Sequence, residues 1–268
     1  MSRTGRLSVH YANCFGGGLQ FHNSQFTIQN LELITSRSKM KPNSQLPAAA
    51  IFDMDGVLVD SNPFHIQKWK EFLHERGIPY SAEDLPKQIL GSRNDTAFQR
   101  FFGRELREDE VEKLSEDLEA RFRAAFRPHA QPLPGLKALM DECHAEGTPL
   151  AVASSAMTKN VDFVVDTLRL RLYFASIITG DDVSCPKPDP EIYLKTAEKL
   201  GLAPAKCVAF EDSFVGIESA KRAGMKCVAI ASTFPAEELR RQTQADLVVK
   251  SFEELSLPRL RELFDEGV

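Results

Sequence analysis

The sequence predicts an α/β fold, in which a parallel sheet is covered by helices and a helical bundle is inserted after the first strand. Short apolar runs alternate with amphipathic segments beyond residue 133, a pattern typical of parallel sheets with both faces covered. One further apolar run, residues 48–52, lies far upstream of them. Residues 63–127 show helical spacing of apolar side chains and no strand signal. The sheet is therefore built from two segments of the chain.

The first strand is predicted at residues 48–52, where Ala-Ala-Ala-Ile-Phe forms a short apolar run. Asp53-Met54-Asp55-Gly56 follows it and has the composition of a turn. In the helical segment that comes next, we expect the residues at helical spacing to form the core of a small bundle. These residues are Phe64, Trp69, Phe72, Leu73, Phe98, Phe101, Phe102, Val111, Leu114, Leu118, Phe122 and Phe126.

A proline-rich linker at residues 128–135 leads back to the sheet. Beyond it the predicted strands are residues 149–154, 175–179, 207–210, 227–230 and 247–249. The predicted helices are residues 159–168, 190–200, 215–223 and 252–264. The domain boundaries that follow are 47–62 and 133–268 for the α/β core and 63–132 for the helical insertion.

The composition is that of a globular protein with a sizeable core. Of 268 residues, 43% are hydrophobic and 26% charged, and the formal net charge is -5. An acidic chain without a basic stripe argues against nucleic acid as a partner. No apolar run approaches the roughly 20 residues that a membrane-spanning helix needs. Five scattered cysteines without C-x-x-C spacing indicate buried thiols in a reducing compartment.

Residues 1–46 differ from the rest, because five basic residues stand there against one acid, Glu32, and Ser, Asn, Gln and Gly are frequent. Three interpretations stay open: a disordered tail, an organelle transit peptide, and a start-site artefact, since Met40 precedes the ordered pattern. We expect a cytoplasmic protein, or an organellar one if residues 1–46 are a transit peptide. We exclude this segment from the fold prediction.

Polar, reactive residues follow four of the predicted strands. The carboxyl ends of parallel strands meet at one edge of a sheet, which is where ligands bind in such folds. We therefore expect these residues to converge on one site. In chain order they are Asp53, Asp55, Ser154, Lys187, Glu211 and Asp212.

This set of side chains suits magnesium-dependent phosphoryl transfer. Clustered carboxylates bind a hard cation such as Mg²⁺. One carboxylate can attack phosphorus, and a second, when protonated, can donate to the leaving oxygen. Lys187, the cation and the Ser154 hydroxyl can neutralise or bind the oxygens of the transferring group.

Each residue also has an ordinary structural interpretation. A D-x-D pair is common, and Lys187 before a proline can be a surface lysine. Ser154 and the Asp212-Ser213 pair can cap the helices that follow them. These interpretations require independent coincidences at four successive strand ends, so we favour the functional one.

The motifs, in this order, resemble the haloacid dehalogenase (HAD) superfamily. The insertion is similar to the helical cap of its β-phosphoglucomutase-like subfamily, which Gly91-Ser92-Arg93-Asn94 and His65 with Trp69 also fit. The resemblance implies a Rossmann-like parallel sheet core with an inserted helical-bundle cap domain. The stretches that carry it are Asp53-Met54-Asp55-Gly56-Val57-Leu58-Val59-Asp60, Val152-Ala153-Ser154-Ser155, Lys187-Pro188-Asp189-Pro190 and Glu211-Asp212-Ser213.

The resemblance also implies roles for the motif residues. Asp53 is expected to attack phosphorus and to bind Mg²⁺. Asp55 is expected to be the general acid/base and a Mg²⁺ ligand through its backbone carbonyl. Asp212 is expected to bind Mg²⁺, with Glu211 beside it or behind it. Ser154 and Lys187 are expected to hold the phosphoryl group.

Three residues outside the core motifs complete the expected site. Asn160 lies near the phosphate loop and is expected to assist there, although the stretch before it is longer than in the mutases. Arg93 is the candidate substrate contact in the cap, since a guanidinium suits phosphate or a sugar phosphate. His65 is expected near the hinge, where it would help to position Asp55. Ordinary packing or surface roles stay open for Arg93 and His65.

The expected function is Mg²⁺-dependent hydrolysis of a small phosphorylated metabolite, such as a sugar phosphate, through an aspartyl phosphate. Asp55 argues against true dehalogenase chemistry, which needs no acid. A mutase of the subfamily would carry a cap lysine where this chain has Leu118, so a phosphatase is favoured over a sugar phosphomutase. A non-catalytic phosphate-binding module would be expected to have a broken motif. The oligomeric state is not indicated.

Overall fold

The computed structural model describes residues 47–265, which fall within one compact unit of the chain. Six strands form a single sheet. They are β1 (Ala49–Phe52), β2 (Leu150–Ala153), β3 (Phe174–Ile178), β4 (Cys207–Glu211), β5 (Lys226–Ile230) and β6 (Leu247–Val249).

The helices lie between and after these strands. Four follow β1: α1 (Asn62–Glu75), α2 (Leu85–Ile89), α3 (Asn94–Phe102) and α4 (Glu108–Phe126). The others are α5 (Leu136–Ala145), α6 (Thr158–Thr167), α7 (Glu191–Leu200), α8 (Phe214–Arg222), α9 (Ala236–Gln242) and α10 (Leu257–Glu262). Among the described residues, no helix has the length and apolar character needed to cross a membrane.

All strand pairs of the sheet are parallel, and the strand order is β3-β2-β1-β4-β5-β6. The first strand therefore lies in the middle, with Phe52 paired to Val152 on one side and to Phe210 on the other. Every residue of β1, β2 and β4 is buried. Burial on both faces explains why these strands appear in the sequence as continuous apolar runs rather than as alternating patterns.

Alternate residues of the central strand pack into different layers of the core. Ala49 and Ile51 belong to one cluster and Ala50 and Phe52 to the other, as the two-residue period of a strand requires. The Phe52 ring stacks on Phe210 of the neighbouring strand, with ring centroids 4.7 Å apart. The residues that follow these strands are thus held by a rigid, packed sheet.

An aromatic cluster organises the helices inserted after β1. Trp69 and Phe72 of α1 contact Phe98 of α3, with ring centroids 5.1 Å and 5.4 Å away. All three side chains are buried. Their spacing places them on the inner faces of two helices, so the insertion has the apolar centre that the periodicity predicted.

The fold prediction is confirmed, with differences at three helices. The predicted final helix, 252–264, is a 3₁₀ turn (Phe252–Glu254) followed by α10, because Ser256 caps a new helix there with its side chain. Helix α5 was missed, although Leu136, Leu139, Met140 and Cys143 have helical spacing, and short α9 was missed too. The domain boundaries remain predictions, and residues 1–46 lie outside the described residues.

The packing of Phe52 gives a test of the core. We expect Phe52→Ala to lower the free energy of unfolding by about 3–5 kcal/mol, because it leaves a cavity in the middle of the sheet. Leu172→Ala is the control, since Leu172 is 96% exposed and should change stability by less than about 0.5 kcal/mol. Urea-induced unfolding measures both. Equal effects would contradict this account of the core.

Candidate active site

Lys187 lies at the centre of the candidate active site and forms hydrogen bonds with residues at the ends of three strands. Its Nζ donates to Asp53 Oδ1 (3.0 Å), to Glu211 Oε1 (2.6 Å) and to the backbone carbonyl of Ala153 (3.1 Å). Burial disfavours the charged ammonium, but Asp53 and Glu211 outweigh burial and raise the pKa of Lys187. The lysine is therefore a buried cation, and its interpretation as a surface residue is wrong.

Asp53 and Asp212 lie on neighbouring strands beside this lysine. Oxygens of Asp53, Glu211 and Asp212 lie within 4.8 Å of one another, and all three residues are buried. The pKa of Asp53 is raised to about 7, and burial is the largest cause. Glu211 and Asp55 add to the rise, whereas Lys187 acts against it. Burial, with Glu211 and Asp53, also raises the pKa of Asp212. One ammonium does not balance this negative charge.

The donor set fits a divalent cation. Three neighbouring carboxylates and one lysine leave an excess of negative charge. Mg²⁺ would balance it, and carboxylate oxygens are ligands that Mg²⁺ prefers. The oxygens of Glu211 are already occupied, because Oε1 accepts from Lys187 and Tyr193 and Oε2 from the Ser213 hydroxyl. Asp53 and Asp212 are thus better placed as ligands than Glu211, which holds Lys187.

Asp212 is oriented by residues that the sequence did not single out. Its Oδ2 accepts hydrogen bonds from Asn62 Nδ2 (2.8 Å) and from Thr233 Oγ1. Asp212 does not cap the next helix; Ser213 does, by accepting from Gly216 N. The capping interpretation therefore holds for the serine and not for the aspartate.

The side chain of Asp55 points to different partners from those of Asp53. Its Oδ1 accepts from Ser61 Oγ (2.5 Å) and lies 3.3 Å from His65 Nε2. Burial raises its pKa, but His65 and Ser61 outweigh burial, and the pKa of Asp55 is lowered. Burial lowers the pKa of His65, while Asp55 and Glu119 raise it, with a net rise. His65 thus lies where it can position Asp55.

A cavity of about 300 Å³ lies between this sheet edge and the inserted helices. Asp53, Asp55 and Ser154 line its floor, and Arg93 lines its wall. The Ser154 hydroxyl accepts from Ala156 N (3.2 Å) and retains its own hydrogen for a ligand. The Arg93 guanidinium bonds Val183 O (3.0 Å) and Asp95 (2.6 Å), which leaves further N–H groups.

Asn160 has partners other than the expected phosphate group. Its side chain is fully buried, and both ends of the amide are engaged by helix α4. Nδ2 donates to Glu119 Oε2, and Oδ1 accepts from Arg123 Nη1, each at 2.6 Å. The structure thus joins Asn160 to the inserted helices, which the sequence-based assignment as a phosphate contact did not anticipate.

Several partner residues lay beyond the reach of sequence reasoning. Asn62, Tyr193, Thr233 and Glu119 are each ordinary residues on a helix or loop, and their roles depend on side-chain direction. A weak signal existed for Glu119, because it falls among the apolar positions of helix α4, where a charged residue is unusual.

Comparison with known proteins agrees with this geometry. Residues 50–230 match the family model described as haloacid dehalogenase-like hydrolase. The phosphorylated carbohydrates phosphatase of Thermotoga maritima is 33% identical over 178 residues, which cover 66% of this chain and 82% of that protein. The fructose-1-phosphate phosphatase of Escherichia coli is 30% identical over 181 residues, covering 68% and 95%.

A solved structure of a mutase is also similar. The β-phosphoglucomutase of Clostridium difficile superposes with a TM-score of 0.72 and 25% identity, covering 81% of this chain and 97% of that one. A parallel sheet whose central strand leads to an aspartate beside a buried lysine and two further acids fits an α/β enzyme with its site at the carboxyl ends of the strands. The chain belongs to the haloacid dehalogenase-like hydrolase family. It is an enzyme of the HAD-like phosphatase/hydrolase type, with β-phosphoglucomutase-like structural neighbours.

The turn after Asp53 gives a test of the site geometry. Gly56 has a φ of +76°, and a Cβ there would overlap the Asp212 carboxylate. Gly77 has a φ of +63° with nothing within 4 Å of its Cβ position, so it is a matched control. Gly77→Ala should cost only backbone strain, about 1–2 kcal/mol.

We expect Gly56→Ala to cost more than Gly77→Ala, because it adds displacement of Asp212 to the same strain. The free energy of unfolding, measured in urea for both variants, decides the comparison. A Gly56→Ala protein as stable as the Gly77→Ala protein would show that a Cβ at position 56 does not displace Asp212.

Proposed function

We propose that the protein is a Mg²⁺-dependent phosphatase that hydrolyses a small sugar phosphate through a phosphoryl group carried on Asp53. The observation that carries the proposal is the buried ammonium of Lys187, held against the nucleophile at 3.0 Å beside an acid cluster with excess negative charge. A purely structural ion pair would not need the open cavity that meets these residues.

The cation has a defined place in this proposal. Asp53 and Asp212 would hold Mg²⁺, with the backbone carbonyl of Asp55 as the third protein ligand that the family resemblance implies. When bound, the ion supplies charge neutralisation for the phosphate oxygens and for the nucleophile. Glu211 would stay outside this set, because its oxygens hold Lys187, Tyr193 and Ser213.

The residues then divide the reaction between them. A carboxylate oxygen of Asp53 forms a bond to phosphorus while the ester P–O bond breaks. Asp55 must be protonated before it can donate to the leaving alkoxide, although His65 and Ser61 lower its pKa in this arrangement. It later accepts a proton from the water that hydrolyses the aspartyl phosphate. Lys187 and the Ser154 hydroxyl bind the oxygens of the phosphoryl group. The products are inorganic phosphate, an alcohol and free Asp53.

The charge of the cavity wall favours a phosphatase over a mutase. Among the described residues, four acids of the inserted segment line the cavity against one arginine, Arg93, which is itself paired with Asp95. A mutase must bind a sugar bisphosphate, whose second phosphate would face this wall. Like charges repel there, so a substrate with one phosphate and a hydroxyl-rich remainder fits better. The four acids are Asp95, Glu108, Glu112 and Glu119.

Two further points support the substrate class. The similar Thermotoga maritima and Escherichia coli proteins are named as phosphatases of phosphorylated carbohydrates and of fructose 1-phosphate. Arg93 lines the cavity, and its remaining N–H groups could bind substrate hydroxyls. The second candidate function, a sugar phosphomutase, is favoured by the similarity to the Clostridium difficile β-phosphoglucomutase.

The role of Asp53 is tested by removing its charge. We expect Asp53→Asn to lower the hydrolysis of p-nitrophenyl phosphate with Mg²⁺ by at least about 10³-fold while the fold is kept, because the amide is a poor nucleophile. Asp60→Asn is the control, since Asp60 is an exposed aspartate a few residues on. Excess chelator should abolish the wild-type activity. Full activity of Asp53→Asn, or turnover that resists chelation, would refute the proposal.

The choice between phosphatase and mutase is tested by product analysis. We expect a panel of sugar monophosphates to release inorganic phosphate, because the acidic wall disfavours a second phosphate. β-Glucose 1-phosphate with a bisphosphate primer should yield no glucose 6-phosphate. Fructose 1,6-bisphosphate should be a poorer substrate than fructose 6-phosphate by about 10-fold or more in kcat/KM. Conversion to glucose 6-phosphate would identify a mutase instead.

A further inference from the structure

A buried side-chain contact between the inserted helices and the sheet edge centres on Asn160. Asn160 lies in the first turn of α6, shortly after Ser154. Glu119 accepts from its amide nitrogen and Arg123 donates to its amide oxygen, both at 2.6 Å. An amide held by a carboxylate on one side and a guanidinium on the other has a fixed orientation, because each charged partner meets the matching end.

Glu119 has polar partners on three other helices. It is 5% exposed, and its second oxygen accepts from Asn94 Nδ2 at 2.8 Å. The oxygen that binds Asn160 also lies 3.9 Å from Nδ1 of His65. A buried carboxylate is costly unless its oxygens are satisfied. The partners of Glu119 come from α1, α3 and α6, so its place depends on all three helices.

His65 extends this network to the acid/base residue. Its ring stacks on Phe122, one turn beyond Glu119 on α4, with ring centroids 3.7 Å apart. Its other nitrogen, Nε2, lies 3.3 Å from Asp55 Oδ1. Helix α4 therefore contacts the face of the imidazole through Phe122 and approaches its Nδ1 through Glu119. The imidazole in turn contacts Asp55.

We propose that Glu119 is a positioning residue: with Arg123 it binds Asn160, fixes the inserted helices over the sheet edge, and thereby holds His65 against Asp55. Asn160 is then the core half of this contact rather than a ligand of the phosphate. The catalytic consequence rests on the function proposed above, because it requires Asp55 to act as acid and base. The contact itself does not depend on that function.

The test removes each side of the contact and then both. We expect Glu119→Ala and Asn160→Ala each to lower kcat for p-nitrophenyl phosphate by about 10-fold, with a smaller change in KM, because Asp55 loses its fixed partner. The double variant should be no worse than Glu119→Ala, since that single change already removes the contact between Glu119 and Asn160. Glu119→Gln, which keeps one acceptor oxygen, should recover part of the loss.

Hydrogen exchange provides a readout that is independent of turnover. In the Glu119 and Asn160 variants, the amides of residues 61–66 and 156–162 should exchange faster than in the wild type. Asp117→Ala is the control, because Asp117 lies on the same helix and pairs with Arg121 and Arg76 of the inserted segment. It should leave both kcat and exchange unchanged. If Glu119→Ala does not fold, Asn160→Ala and Glu119→Gln test the same contact.

The outcomes separate this inference from the proposed function. Losses in kcat that multiply to about 100-fold in the double variant would overturn the proposal, because the two residues would then act independently. Unchanged exchange in both segments would overturn it as well. Faster exchange in a protein that hydrolyses no phosphate ester would instead keep the contact and reject the proposed function.

Discussion

The site is governed by one buried ammonium. Lys187 is the cation that bridges Asp53 and Glu211 in the packed interior of the sheet edge, with Nζ–O distances of 3.0 Å and 2.6 Å. A buried ion pair of this kind is weak as a source of stability, since desolvation offsets most of the attraction. The proposed function gives it a better explanation: the ammonium would orient Asp53, the proposed nucleophile, while Asp212 adds negative charge that a cation would balance.

The sheet makes this arrangement rigid. Asp53 follows the central strand, and its N–H donates to Phe210 O at 3.0 Å, so the backbone of Asp53 is fixed by its hydrogen bond to the neighbouring strand. Ser154 is held in the same way by Ile178 O. Groups placed by strands and locked by packing pay little reorganisation when charge develops on a substrate. The stacked Phe52 and Phe210 rings beneath them are part of the same support.

The sequence predicted those parts of the site that depend on topology. Asp53, Ser154, Lys187 and Asp212 are brought together simply because parallel strands end at one edge, and the apolar runs revealed the strands. The partners that set side-chain directions were not predictable in this way. Thr233 and Tyr193 reach the site from other segments, and their contacts depend on helix rotations and loop paths of about 1 Å precision, which no spacing rule encodes.

Asn160 shows how such precision changes an assignment. Proximity to Ser154 in sequence suggested a phosphate contact, but the amide turns toward Glu119 and Arg123 of helix α4. The sheet edge would then attract the phosphoryl group through Lys187, whereas the acidic wall of the insertion would select what the phosphate is attached to. A substitution of Glu108 or Glu112 in that wall should change which ester is accepted without changing the chemistry at Asp53, whereas Glu119 also contacts the residues that position Asp55. The two proposed tasks reside on different elements, which are joined through polar contacts such as those of Glu119 and Arg123 with Asn160.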